Sequence, residues 1–239
     1  MKIGERLVEL KPAWVDTVRR LLPAHPATGR PLDLFTREFP ELWHLPLKDA
    51  AGGGYDVVGV INWGVNKDLT KNPYELMPDA ARTVTVPLGD LGLDPKATYL
   101  AYEFWDERFI GEVTGSLAVE AAQHRAYLVA LRKKEPRPQF LGTNRHALMG
   151  VVGVGAVAWD DAAKTLTVTQ EATPGTAFAP FEYRVAFSIP AGWTVKDHAV
   201  RGIEVSDVTL TSDGGHGTLA FTAKDKGEAT WTVTFTPPK

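Results

Sequence analysis

The chain has no cysteine in its 239 residues. That excludes disulfides, thiolate metal sites and a cysteine nucleophile. No run approaches 18 apolar residues, so no membrane-spanning helix is expected. The start, Met1-Lys-Ile-Gly-Glu-Arg6, lacks the apolar stretch of a signal peptide, and a cytoplasmic location is expected. An excess of one charge is missing too: 26 basic residues against 29 acidic ones leave a net charge of −3. Such a balance gives no general attraction to nucleic acid or to an anionic membrane. The short run Arg132-Lys-Lys134 reads as a solvated linker edge, so neither partner is expected. The six histidines show no H-x-H, H-E-x-x-H or H-x₃-H spacing, and no metal site is expected. Val152-Gly-Val-Gly-Ala156 opens a strand rather than a helix, which argues against phosphate binding, and no cofactor is expected.

What is present suits a globular protein with a substantial core: 44% hydrophobic and 23% charged residues. Only the first fifth reads as helical. Pro12 suits a first helical position. Trp14, Val18, Leu21 and Leu22 follow at i, i+4, i+7 and i+8, one apolar face, and Pro23 ends it. From Gly52-Gly-Gly54 onward the period becomes two. Strands are expected at 55–62, 83–86, 98–104, 116–120 and 125–132, separated by Pro, Gly and Asp turns. The polar insert Asn66–Pro78 reads as a loop. Lys133–Pro138 reads as a linker. After it, strands are expected at 155–160, 164–169, 181–189, 207–211, 217–222 and 229–235, with hairpin loops at Asp160–Ala163 and Ser212–His216.

The expected fold is therefore all-β: two antiparallel β-sandwich (Ig-like) domains in tandem, at 51–135 and 136–239. A helical and irregular lead, 1–50, precedes them. Leu7, Leu10, Trp14, Val18, Leu21, Phe35, Phe39 and Trp43 are too apolar for a disordered arm. The lead is expected to pack on the first sandwich, residues 31–45 in particular, with Phe35 or Trp43 buried there. The helix is expected to keep an exposed apolar stripe or to use it for self-association.

The segment Tyr99-Leu-Ala-Tyr-Glu-Phe-Trp-Asp-Glu-Arg-Phe-Ile-Gly-Glu112 reads as a strand, a tight turn and a return strand. It resembles the "FWDE" segment of the β-sandwich that follows the catalytic barrel in α-galactosidase-type glycoside hydrolases (family 36-like). Three further segments resemble that region in the same order: Arg30–Phe35 with Pro40–Trp43, Val58–Trp63, and Leu141-Gly-Thr-Asn-Arg-His146. Residues 151–239 resemble only generic Ig-like modules. A (β/α)₈ barrel needs roughly 250 residues and eight βα repeats, and no position here corresponds to the family's catalytic carboxylates. The resemblance thus implies an accessory β-sandwich protein, a truncated relative of such an enzyme. Its implied partners are carbohydrate, a barrel-containing glycosidase chain, or a second copy.

Two other functions compete: a self-sufficient small glycosidase and a carbohydrate-binding module. For the glycosidase the candidate catalytic residues are Glu103, Asp106 and Glu107, the one cluster of acids beside aromatics. Glycoside hydrolysis needs two carboxyls about 5–5.5 Å apart for retention or about 6.5–9.5 Å for inversion. For carbohydrate binding the candidate platforms among the seven tryptophans are Trp43, Trp105 and Trp193. The structural alternative puts Trp105 in the core and makes Asp106 the residue that holds the turn. Asn144-Arg-His146 reads as a strand-end hydrogen-bond network.

Overall fold

The computed structural model describes residues 11–37, 39–49, 52–64, 81–176 and 180–238. The expected loop at 66–78 and the apolar positions Leu7 and Leu10 lie outside them. Among the described residues the chain is all-β apart from one α-helix, α1 (Pro12–Leu21), and a short 3-10 turn at Leu88–Leu91. It divides into two compact units. One holds the described residues of 27–47 and 54–134; the other holds those of 11–26, 48–53 and 135–238.

The first unit is built from β1 (Arg30–Pro31), β2 (Leu42–Lys48), β3 (Gly54–Asn62), β4 (Arg82–Pro87), β5 (Tyr99–Glu103), β6 (Arg108–Val113), β7 (Ser116–Ala121) and β8 (Arg125–Lys133). Six of these form a sheet in the order β1-β2-β3-β8-β5-β6, and β4 pairs with β7 in a separate ribbon. Alternation explains the packing. On β4 and β7 every second residue is buried, so Val84, Val86, Leu117 and Val119 meet Val58 and Val60 of β3 and Tyr127, Val129 and Leu131 of β8. Full burial of such side chains contributes roughly 1.5–3 kcal/mol each.

The second unit carries β9 (Phe140–Thr143), β10 (Val154–Asp160), β11 (Thr165–Ala172), β12 (Glu182–Ser188), β13 (Thr194–Arg201), β14 (Val205–Asp213), β15 (His216–Ala223) and β16 (Gly227–Thr236). Two four-stranded antiparallel sheets result, β10-β11-β16-β13 and β14-β15-β12-β9. Their inner faces share one core, with Trp231, Phe187, Phe221 and Leu219 fully enclosed. The β10–β11 turn is fixed by Asp160, whose Oδ1 accepts the backbone N–H groups of Ala162 and Ala163, both at 2.9 Å. An aspartate that bonds the amides just ahead of it mimics a backbone turn.

The lead departs from the expectation that it packs as one piece on the first sandwich. Residues 11–26 group with the second unit and 27–47 with the first. Phe35 is not buried but 98% exposed, and Trp43 is 36% exposed. Leu32 and Leu42 do the apolar packing instead. Between them a buried ionic network ties the loop down. The Asp33 carboxylate accepts the amides of Glu41 (3.1 Å) and Leu42 (3.2 Å). Arg37 pairs with both Asp33 (3.1 Å) and Glu41 (2.7 Å), and Arg82 also pairs with Glu41. Asp33 and Glu41 are almost fully buried, so each requires these partners.

Candidate functional site

The acidic hairpin sits at the end of β5. Phe104 follows it and is fully buried, which turns the chain inward. Its amide is held by the Leu128 carbonyl at 2.9 Å, and its own carbonyl accepts the Glu107 amide at 3.3 Å. Glu107 takes a left-handed backbone (φ 50°) to close the turn. Glu103 itself is 0% exposed. Its carboxylate accepts three backbone N–H groups: Trp105 at 3.1 Å, Asp106 at 2.7 Å and, from β8, Leu128 at 3.4 Å. A carboxylate offers about four lone-pair sites, and backbone donors occupy most of them here.

Asp106 is exposed and forms an ion pair with Arg125. That bond raises the Arg125 guanidinium above its ordinary range, against the desolvation it suffers. Arg125 also lies over the Tyr127 ring at 4.9 Å. Trp105 is half-buried, edge-on to Phe104 at 4.9 Å. The roles in the structural alternative are therefore redistributed. Glu103, not Asp106, holds the turn. Asp106 faces Arg125, and Trp105 stands at the rim of the core rather than inside it.

The candidate sugar platforms belong to different elements. Trp43 lies on β2 against β3, where a Cβ built on Gly59 would come within 3.2 Å of the Trp43 Cβ. Trp105 belongs to the hairpin. Trp193 belongs to the second unit, packed edge-on against Trp159 (5.8 Å) and near Phe235 (6.5 Å). Trp159 in turn donates its Nε1–H to Asp161 at 3.3 Å and carries Arg137 at 5.4 Å from its ring. Bonds from Lys164 and Trp159 hold the Asp161 carboxyl below its usual range. The most exposed indole is Trp14 on α1, at 60%. No group of three or more His, Asp or Glu among the described residues could hold a metal ion. Among those residues no helix is long and apolar enough to cross a membrane.

A second constellation was not legible as a site in the sequence. The segment Thr143–Ala147 receives the C-terminal end of α1, whose last carbonyls have no partner within the helix. Ala147 N–H donates to the Arg20 carbonyl at 2.8 Å. The Arg145 guanidinium donates to the carbonyls of Arg19 and Leu22, both at 3.4 Å. His146 Nε2 lies 3.0 Å from the Pro23 carbonyl, while His146 Nδ1 accepts the Leu148 amide at 3.1 Å. Those two bonds require a neutral ring protonated on Nε2. Burial, aided by the Arg145 charge, accordingly holds the His146 pKa below its ordinary 6.5, despite the opposing Pro23 bond. Asn144 completes the seat by bonding β12, its amide nitrogen to the Glu182 carbonyl and its oxygen to the Arg184 N–H, each at 2.9 Å.

Beside this seat lies a cleft of about 220 Å³, lined by Arg19, Arg145, Thr173, Pro174 and Tyr183. The Tyr183 hydroxyl accepts the Thr173 amide at 2.7 Å and donates to the Thr173 carbonyl at 3.2 Å. Arg19 lies over the Phe181 ring at 4.9 Å. No protein-family model, curated protein or solved structure matches this chain.

Proposed function

We propose that this chain is a non-catalytic accessory β-sandwich protein, related to the C-terminal region of α-galactosidase-type glycoside hydrolases and acting beside a separate catalytic barrel. The observation that carries this reading is the state of Glu103. A general acid or nucleophile must reach the reacting atom with a proton or a lone pair. Glu103 is enclosed and bonded to three backbone amides, so its carboxylate closes a hairpin. Asp106 is neutralised by Arg125. The all-antiparallel pairing of the second unit and its core of aromatic and branched residues likewise suit a packing module.

In this reading α1 supplies the contact with the catalytic chain. Trp14, Leu21 and Leu22 are 43–60% exposed, although the carbonyl end of the helix is firmly seated on its own unit. Exposed apolar groups on a fixed helix favour association.

The test is a panel of nitrophenyl glycosides with the purified protein. The expected result is no turnover on any of them. Turnover that disappears in Glu103→Gln, Asp106→Asn or Glu107→Gln, with folding intact, would overturn the reading in favour of a self-sufficient glycosidase.

A further inference from the structure

The cleft beside the helix seat has a chemistry that the accessory role does not use. Among the described residues that line it, two are arginines, Thr173 adds a hydroxyl, and none is acidic. Arg145 is not a loose surface cation. Its Nη1 is tied to two carbonyls at the end of α1, and a Cβ built on Gly153 would sit 3.3 Å from its Cγ. The guanidinium is thus held by the helix end, and Gly153 lets the backbone come close to the Arg145 stem. A braced guanidinium fork is the arrangement that recognises carboxylate or phosphate oxygens with the least ordering cost.

Thr173 is also fixed. Tyr183 holds Thr173 through both of its backbone groups. Burial raises the Tyr183 phenol above its ordinary value, so the hydroxyl stays neutral and keeps both bonds. At about 220 Å³ the cleft is smaller than the roughly 300–1,000 Å³ of sites for drug-sized ligands. It suits one charged group and its immediate substituent.

We propose that the cleft formed by Arg19, Arg145, Thr173, Pro174 and Tyr183 is a binding site for a small oxyanion-bearing ligand, a carboxylate or a phosphate, with Arg145 as its principal contact and the Thr173 hydroxyl as a second donor. The site lies wholly in the second unit. It stands independently of the accessory role, and its failure would leave that role untouched.

The test is a nuclear magnetic resonance titration of the ¹⁵N-labelled protein with inorganic phosphate, with galacturonate and with neutral galactose. The expected result is saturable movement of the Arg145, Thr173 and Tyr183 amides with at least one anion and none with galactose. The tighter anion identifies the ligand as a phosphate ester or a carboxylate. Arg145→Met should weaken binding about tenfold or more, in line with the loss of a charged hydrogen bond. Because Arg145 also fastens α1, Thr173→Val is the second variant. It leaves the backbone bonds to Tyr183 in place and should weaken binding severalfold. Arg184→Ala, which removes an exposed cation paired with Glu182, should leave binding unchanged. Absence of a saturable response to either anion overturns the proposal. So does equal movement with galactose, or equal weakening by Arg184→Ala and Arg145→Met.

Discussion

Gln170 is the residue whose placement most contradicts ordinary burial rules. It sits on β11 in line with Leu166 and Val168, fully enclosed, with neither side-chain oxygen nor nitrogen bonded. On the neighbouring strand Trp231, opposite Val168, has an unbonded Nε1. An unsatisfied buried amide costs about 1–3 kcal/mol. Gln170→Met keeps the volume and removes the polar atoms, so it should raise the urea midpoint by the equivalent of about 1–2 kcal/mol. A lower midpoint would show that the amide is satisfied in solution. The surface pair is a contrast. Both Asp106 and Arg125 are about two-fifths exposed, so Arg125→Ala should cost less than about 1 kcal/mol. Individual roles of this kind were only partly legible in the sequence. Asp160 in its hairpin turn follows from local spacing. Glu103 does not, because one of its donors, Leu128, lies 25 residues away. Local alternation groups Glu103 with Tyr99 and Ala101 on one face of the strand but does not show that amides from its own turn and from β8 meet its carboxylate.

At the scale of elements, clean period-two runs such as β4 and β16 were readable, and the elements with mixed signals were not. β2 contains Pro46, which lacks a donor and argues against a strand. It is tolerated because β1 pairs only with Trp43 and His44. β13, Thr-Val-Lys-Asp-His-Ala-Val-Arg, has a mostly exposed pattern and joins its sheet by pairing with β16, so no apolar stripe betrays it. The helix was legible, but its seat was not: the sequence showed an apolar face, whereas the structure fastens the helix by its carbonyl end. That seat should be sensitive to acid. The folded-state pKa of His146 is lowered by burial, so near pH 6.5 and below the unfolded chain binds more protons than the folded one. Stability must therefore fall as pH drops from about 6.5 through the lowered folded value, and recover above it. Protonation at Nδ1 also breaks the bond from Leu148. In His146→Gln this part of the pH dependence should disappear, measured by urea unfolding at pH 5 and pH 7.5. An unchanged difference between the two pH values would contradict the assignment.

At the scale of the molecule, the described residues form two cores, and no sheet among them draws strands from both units. Their composition and alternating runs made the all-β class readable. The division of the lead between the units was not readable, since the bonds that assign α1 join residues more than 120 positions apart. Deleting residues 1–26 should therefore speed amide exchange at β9 and β12, which carry the helix seat, and leave exchange across β3, β5 and β8 unchanged. Faster exchange in those three strands would contradict the division.

We propose that the acidic segment closes a hairpin and performs no chemistry. This proposal is tested most directly by equilibrium urea unfolding of Glu103→Gln against the parent protein, with aryl-glycoside turnover measured on the same samples. An amide in that enclosed position replaces one acceptor oxygen by a donor facing backbone N–H groups. A loss of about 1–3 kcal/mol in stability and no turnover before or after the substitution are expected. Unchanged stability together with turnover that the substitution abolishes would contradict the proposal.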